Sequence, residues 1–239
     1  MIFIAASGLS ACAVPPSGGP QSTAAAPELV RALAFNANGN ASVFNDTETL
    51  EAIRSKEASG SYDRISGFAK FGPPKPISQM TIGEVLHYQQ RLINAGAEAT
   101  AVGAYQIKRS TLELTARQLG VGHDELFSAE MQDRMARFKL AKCGFYDSSK
   151  DVSLVGNCIA KVWAAFPMHT GSKKGKSRYK GNLNNKALVS VGEVRDLLAK
   201  RMVAQNVKLK LKSDEQPAPG AVQFYIDDGR FADRIPLSR

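Results

Sequence analysis

A glutamate at the end of an apolar helical stripe is the residue of this chain best suited to acid–base chemistry. Leu50, Ile53 and Glu57 follow one another at spacings of three and four, so one helical face carries two core residues and then a carboxyl. Partial burial there disfavours the charged form, so the carboxyl holds its proton more tightly. A carboxyl still protonated near neutral pH can donate to a glycosidic oxygen. The same spacing also fits a surface glutamate that merely ends a helix beside Lys56. Asp63 comes soon after and reads as a second carboxylate or as a brace for its own segment; glycoside hydrolases use two carboxylates, and the gap between them sets the stereochemistry. Gly103, Tyr105 and Gln106 form a second cluster. Glycine lets a sugar or backbone approach closely, tyrosine offers a flat face with a hydroxyl tip, and glutamine has both a donor and an acceptor. The bland alternative is a turn before a helix with an ordinary buried tyrosine.

The elements that must position these groups are mostly helices. Apolar spacings of three and four recur from residue 47 to 205. The first helix ends at Gly60. Others are expected over residues 81 to 95, from about Ser110 to Gly120, from Ser128 to Gly144, and from Val191 to Met202. Thr81 with Glu84, Ser110 with Glu113 and Ser190 with Glu193 each fit a capping box. The segment from 153 to 166 is almost wholly apolar and reads as a central buried helix stopped by Pro167. Trp163 within it reads as core. Residues 60 to 80, rich in Gly, Pro, Tyr, Phe and Ser without helical period, read as a small irregular or β lobe. The fold class is therefore α+β, mainly α-helical, with a helical body and a small lobe.

The N-terminus reads as an address. Ile2 to Ala6 are apolar, and Leu9-Ser10-Ala11-Cys12 is similar to the lipobox of bacterial lipoproteins, whose cysteine is acylated. No Lys or Arg precedes the apolar run as a signal peptide requires, so residues 1–12 are either a signal segment with its start missing or a chance match. Residues 13 to 27 are small and polar and cannot build a core, so 13–45 reads as a flexible tether. Ala13 leans, by likeness to sorted lipoproteins, toward the outer membrane. In an oxidising periplasm Cys143 and Cys158 could pair, closing a loop for a gain of about 3 kcal/mol, or they could stay as two buried thiols.

Net charge is +9, which favours a polyanionic partner without choosing among nucleic acid, acidic membrane and cell wall. His87, His123 and His169 stand apart and no CxxC or HExxH spacing occurs, so no metal site and no cofactor are expected.

Three blocks in order carry a resemblance. Glu57-Ala-Ser-Gly-Ser-Tyr62-Asp63 through Gly67, then Gly103-Ala-Tyr105-Gln106, then Cys158 through Val162-Trp163-Ala-Ala-Phe166-Pro167 resemble the phage lambda-type endolysins and the cell-division lysozymes of alpha-proteobacteria. Leu119-Gly120, Phe127-Ser128 and Gln132-Asp133 match in order between them. The resemblance spans roughly residues 46–205. It implies a lysozyme-like domain that cuts the β-1,4 bond between N-acetylmuramic acid and N-acetylglucosamine in peptidoglycan, with Glu57 as general acid. Tyr62, Gly103, Tyr105 and Gln106 would then contact the saccharide. It leaves two reactions open: hydrolysis as in a muramidase, or the water-free closure of the sugar's own 6-hydroxyl that defines a lytic transglycosylase.

Two further signals are weaker. Gly171 to Ser177 nearly spells a P-loop but is one residue short between its glycines and follows a helix-ending proline. Lys173, Lys174, Lys176, Arg178 and Lys180 make a basic loop around Tyr179 that suits a wall, a membrane or plain solvent. The expected partners are peptidoglycan strands and, through Cys12, a membrane; no nucleic acid is expected. The rivals are an inactive wall-binding lipoprotein of the same fold and a basic nucleic-acid-binding protein. The role of residues 206–239 is open.

Overall fold

The computed structural model describes residues 31–35, 41–203, 222–225 and 231–235. The lipobox with Cys12 and residues 13 to 30 of the proposed tether lie outside them.

The described body is mainly helical. Its helices are α1 (Thr47–Ala58), α2 (Ile82–Asn94), α3 (Arg109–Leu119), α4 (Ala129–Lys142), α5 (Val152–Val162) and α6 (Val191–Lys200). The capping signals explain most of the starts. Thr81 and Ser190 form complete capping boxes with Glu84 and Glu193. Ser128 accepts from the Met131 N–H at the start of α4. The expected box at Ser110 does not form: α3 begins at Arg109, Lys108 stands at its N-cap, and Glu113 pairs with Arg109 one turn back instead.

Strands β1 (Arg31–Phe35), β2 (Ala41–Asn45), β3 (Met202–Val203), β4 (Val222–Tyr225) and β5 (Phe231–Ile235) form one antiparallel sheet in the order β3-β2-β1-β4-β5. β1 and β2 lie in the stretch read as tether, and β4 and β5 in the extension of open role. The composition of residues 13 to 27 suggests a tether, while residues 31–35 and 41–45 within the same 13–45 stretch pair as strands. Residues 60 to 80 contain no strand; the irregular alternative holds there, with a 3-10 turn at Ile77–Gln79 and a single bridge from Ile65 to Val102.

One apolar core runs through the body. Leu50 and Ile53 of α1, Val85 and Leu92 of α2, Leu112 of α3, Met135 of α4 and Ile159 of α5 are all buried in it. α5 is less central than its composition suggests. Val155, Ile159 and Ala160 face inward, while Leu154 is 63% exposed and Val162 36%. Its helix also stops at Trp163, short of Pro167. Cys143, just past α4, and Cys158, within α5, form a disulfide that ties these two helices together. At the start of α1, fully buried Asp46 accepts from Arg137 Nε at 3.0 Å and from the Tyr146 hydroxyl at 2.6 Å. That anchors the α1 N-terminus on α4, and so fixes the helix whose other end carries Glu57. Among the described residues no helix is long and apolar enough to cross a membrane.

Candidate active site

α1 ends where its sequence says it should. Ser59 and Gly60 both take positive φ, and the Gly60 N–H reaches back to the Arg54 carbonyl at 3.0 Å. This closes the helix just after Glu57 and turns the chain into the lobe. Glu57 is thereby left half-buried in the wall of a cleft of about 650 Å³. The cleft lies between the lobe (Arg64 to Phe68), the loop of Ala101 to Lys108, helices α3 and α4, and the chain leaving α5.

Glu57 Oε1 accepts the Ala165 N–H at 2.8 Å. That donor is free because α5 breaks at Trp163. In a continuing helix the Ala165 N–H would bond the Lys161 carbonyl; here that carbonyl accepts from the Tyr179 hydroxyl at 2.5 Å. The early end of the helix is what makes the hydrogen bond to Glu57 available. Burial pushes the Glu57 carboxyl above its ordinary value, and the Ala165 hydrogen bond opposes this only in part. Among the described residues Glu57 is the only carboxylate lining the cleft.

The other expected site residues divide. Gln106 lines the cleft in a left-handed conformation (φ 46°), rare for a side chain with a Cβ, and its amide donates to the Gly103 carbonyl at 3.0 Å. Tyr105 also borders the cleft but is only 2% exposed, packed near Trp163, so it offers no open face for stacking on a sugar. Its hydroxyl instead donates to Asp133 at 2.6 Å. Tyr62 does the same at 2.8 Å and lies outside the cleft lining. Gly103 is buried behind the cleft. Its φ is +76°, and a Cβ there would sit 2.3 Å from Gln132 Oε1. The need for glycine at that position comes from protein packing rather than from substrate approach. Asp63 is exposed, outside the cleft lining, and accepts the Ser78 N–H at 2.8 Å. The brace reading of Asp63 describes it; the second-carboxylate reading does not. Trp163 is core, as expected, at 3% exposure, with one edge bordering the cleft.

Sequence reasoning missed the network behind the cleft. Arg54, one turn before Glu57, donates from Nη1 to the Tyr62 hydroxyl at 2.8 Å and to Asp133 Oδ2 at 3.2 Å. Asp133 thus gathers both tyrosines and the arginine, tying α1, the lobe and the Tyr105 loop to α4. Burial, then the neighbouring Asp133 charge, push both tyrosine hydroxyls far up, so they remain donors. Gln132 does parallel work on the backbone: Oε1 accepts the Ala104 N–H at 2.9 Å, and Nε2 donates to the Tyr62 and Phe127 carbonyls. Gln132-Asp133 was visible as a matching pair in the resemblance, but nothing in its local spacing assigned it this task.

Among the described residues no group of His, Cys, Asp and Glu is placed to hold a metal ion. The chain matches no family model, no curated protein and no solved structure.

Proposed function

We propose that this chain cleaves the glycan strands of peptidoglycan by general-acid catalysis, with Glu57 as the acid. The observation that carries this reading is a half-buried carboxyl, held toward its protonated form, in the wall of a cleft large enough for a few sugar units. Ala165 binds Oε1, so Oε2 is the oxygen left to carry the proton. Protonating the glycosidic oxygen breaks its bond to the anomeric carbon as that carbon becomes cationic.

The lone carboxylate favours the lytic transglycosylase reaction over hydrolysis. Hydrolases of the paired type need a second carboxylate to activate water or to attack the anomeric carbon. In the water-free route the sugar's 6-hydroxyl bonds to the anomeric carbon. Its proton passes to the carboxylate that Glu57 has just become, leaving a 1,6-anhydro end and a restored acid. Gln106, at the cleft surface, is the best-placed side chain to hydrogen-bond an N-acetyl or hydroxyl group.

The Cys143–Cys158 disulfide suits an oxidising compartment and is consistent with an exported protein acting on the wall, anchored through Cys12. Incubation of the purified protein with peptidoglycan, followed by mass spectrometry of the soluble products, tests the reading. Anhydro-ended muropeptides are expected. Reducing ends would shift the reaction to hydrolysis, and strand binding without any release would favour the inactive wall-binding lipoprotein.

A further inference from the structure

Glu57 is outnumbered in its own cleft. Arg64 of the lobe, Lys108 at the start of α3, Lys139 of α4 and Lys161 in the last turn of α5 also line it. They come from four separate elements, so cations stand on both walls. Among the described residues no ion pair engages any of them. All four line the space a ligand would fill. A cleft lined by one sign of charge focuses its field on a ligand of the opposite sign.

From this arrangement we infer that the cleft selects glycan strands bearing carboxylates, with Arg64, Lys108, Lys139 and Lys161 as the specificity-determining residues. The inference rests on the saccharide reading of the cleft and adds its charge preference. Two carboxylate sources exist on a muramyl strand. One is the lactyl group itself, free only after an amide-hydrolysing reaction has removed the stem peptide. The other is the set of acidic residues along an intact stem. A nucleic-acid strand also carries charge, but sequence-tolerant binding of single strands relies on exposed aromatic faces for the bases. Tyr105 and Trp163 are 2% and 3% exposed and present none, which leaves the half-buried Phe68 and Tyr179 as the aromatic faces of the cleft, and an oligonucleotide probe tests whether they serve.

The test uses the full-length Glu57→Gln protein, so that strands are not consumed. Calorimetric affinities would be measured for four probes: peptide-free muramyl strands, peptide-bearing strands, neutral β-1,4-linked N-acetylglucosamine oligomers of matched length, and a single-stranded oligonucleotide. Carboxylated strands should bind about tenfold more tightly than neutral oligomers, equivalent to about 1.4 kcal/mol. That advantage should shrink as salt rises from about 50 to 300 mM. Tighter binding of the peptide-free strand assigns the lactyl carboxylate as the contact; tighter binding of the peptide-bearing strand assigns the stem. In a Lys108→Gln/Lys161→Gln variant, both positions being exposed, the preference should fall while affinity for the neutral oligomer stays. Equal, salt-insensitive binding of neutral and carboxylated glycans would overturn the charge preference and leave the saccharide reading standing. Preference for the oligonucleotide, or binding to no glycan, would overturn both.

Discussion

Glu57 and Ala165 are 108 residues apart in the chain and joined by one hydrogen bond, from the Ala165 N–H to Oε1 at 2.8 Å. The bond exists because α5 ends early, and it fixes the acid against the far wall of the cleft. Keeping an acid there has a thermodynamic consequence. The folded-state affinity of Glu57 for its proton is raised by burial, so its contribution to stability is complete below the unfolded carboxyl range and is lost as pH rises through the raised value. A Glu57→Gln protein keeps the acceptor for Ala165 and has no charge to bury. Its melting temperature should therefore equal that of wild type in acid, exceed it increasingly as pH rises from the unfolded carboxyl range through the raised value, and hold a constant advantage above that. Thermal melts across that range check this; a variant less stable than wild type at neutral pH would mean that burial is not the dominant influence on this group.

Gly103 offers a sharper test of packing. Its φ of +76° and the 2.3 Å approach of Gln132 Oε1 to a would-be Cβ leave no room for alanine. Gly103→Ala should cost at least about 2 kcal/mol, from backbone strain and the forced displacement of a fully buried side chain. Denaturant unfolding measures this. A neutral effect would place Gly103 in open space, where a sugar rather than Gln132 would be its neighbour.

Asp133 holds three donors from three parts of the chain. Asp133→Ala leaves the mostly buried Arg54 guanidinium with Glu51, at 2.6 Å on its own helix, as its remaining carboxylate, and takes the shared acceptor from the Tyr62 and Tyr105 hydroxyls. The expected loss is about 2–4 kcal/mol. The lobe is held partly through Tyr62, so backbone amides near residues 60 to 67 should also exchange faster with solvent. Hydrogen exchange followed by mass spectrometry reads the second effect, and unchanged protection there would remove Asp133 from the account of how the cleft is held open.

Replacing Cys143 and Cys158 together by serine releases the loop that their bond closes. The entropic cost is about 3 kcal/mol, which for a chain of this size lowers the melting temperature by about 6–12 °C. The cleft is reached from α5 and from the chain that leaves it, so the same variant should also turn over substrate less well at temperatures where α5 frays.

Much of the body was legible in the sequence because its signals are local. The Leu50, Ile53 and Glu57 spacing gave both the helix and its buried face, and the Thr81 and Ser190 capping boxes marked their helix starts to the residue. The errors occur where distant chain decides. Ser110 and Glu113 fit a box on paper, but Arg109 competes for Glu113. The apolar pattern after Ser153 continues to Phe166 and predicts a helix throughout, yet the helix yields at Trp163, where Glu57 and Tyr179 take over the freed hydrogen-bonding groups. At Gly103 the sequence suggests the close approach of a sugar or backbone, and the group that comes close in the structure is the Gln132 side chain, from a helix later in the chain. Asp133 gave no local signal, its partners Tyr62 and Arg54 lying 71 and 79 residues away. Asp63 had two readings, and only the Ser78 N–H on which its carboxylate settles separates them.

The most direct measurement is the initial rate of muropeptide release from purified peptidoglycan by wild type and by Glu57→Gln, with both shown to be folded by their melting curves. Wild type should release product at a rate that falls as pH rises above the range where Glu57 keeps its proton, and the variant should be slower by about 10²–10⁴-fold. Equal rates for the two proteins would contradict the assignment of Glu57 as the proton donor.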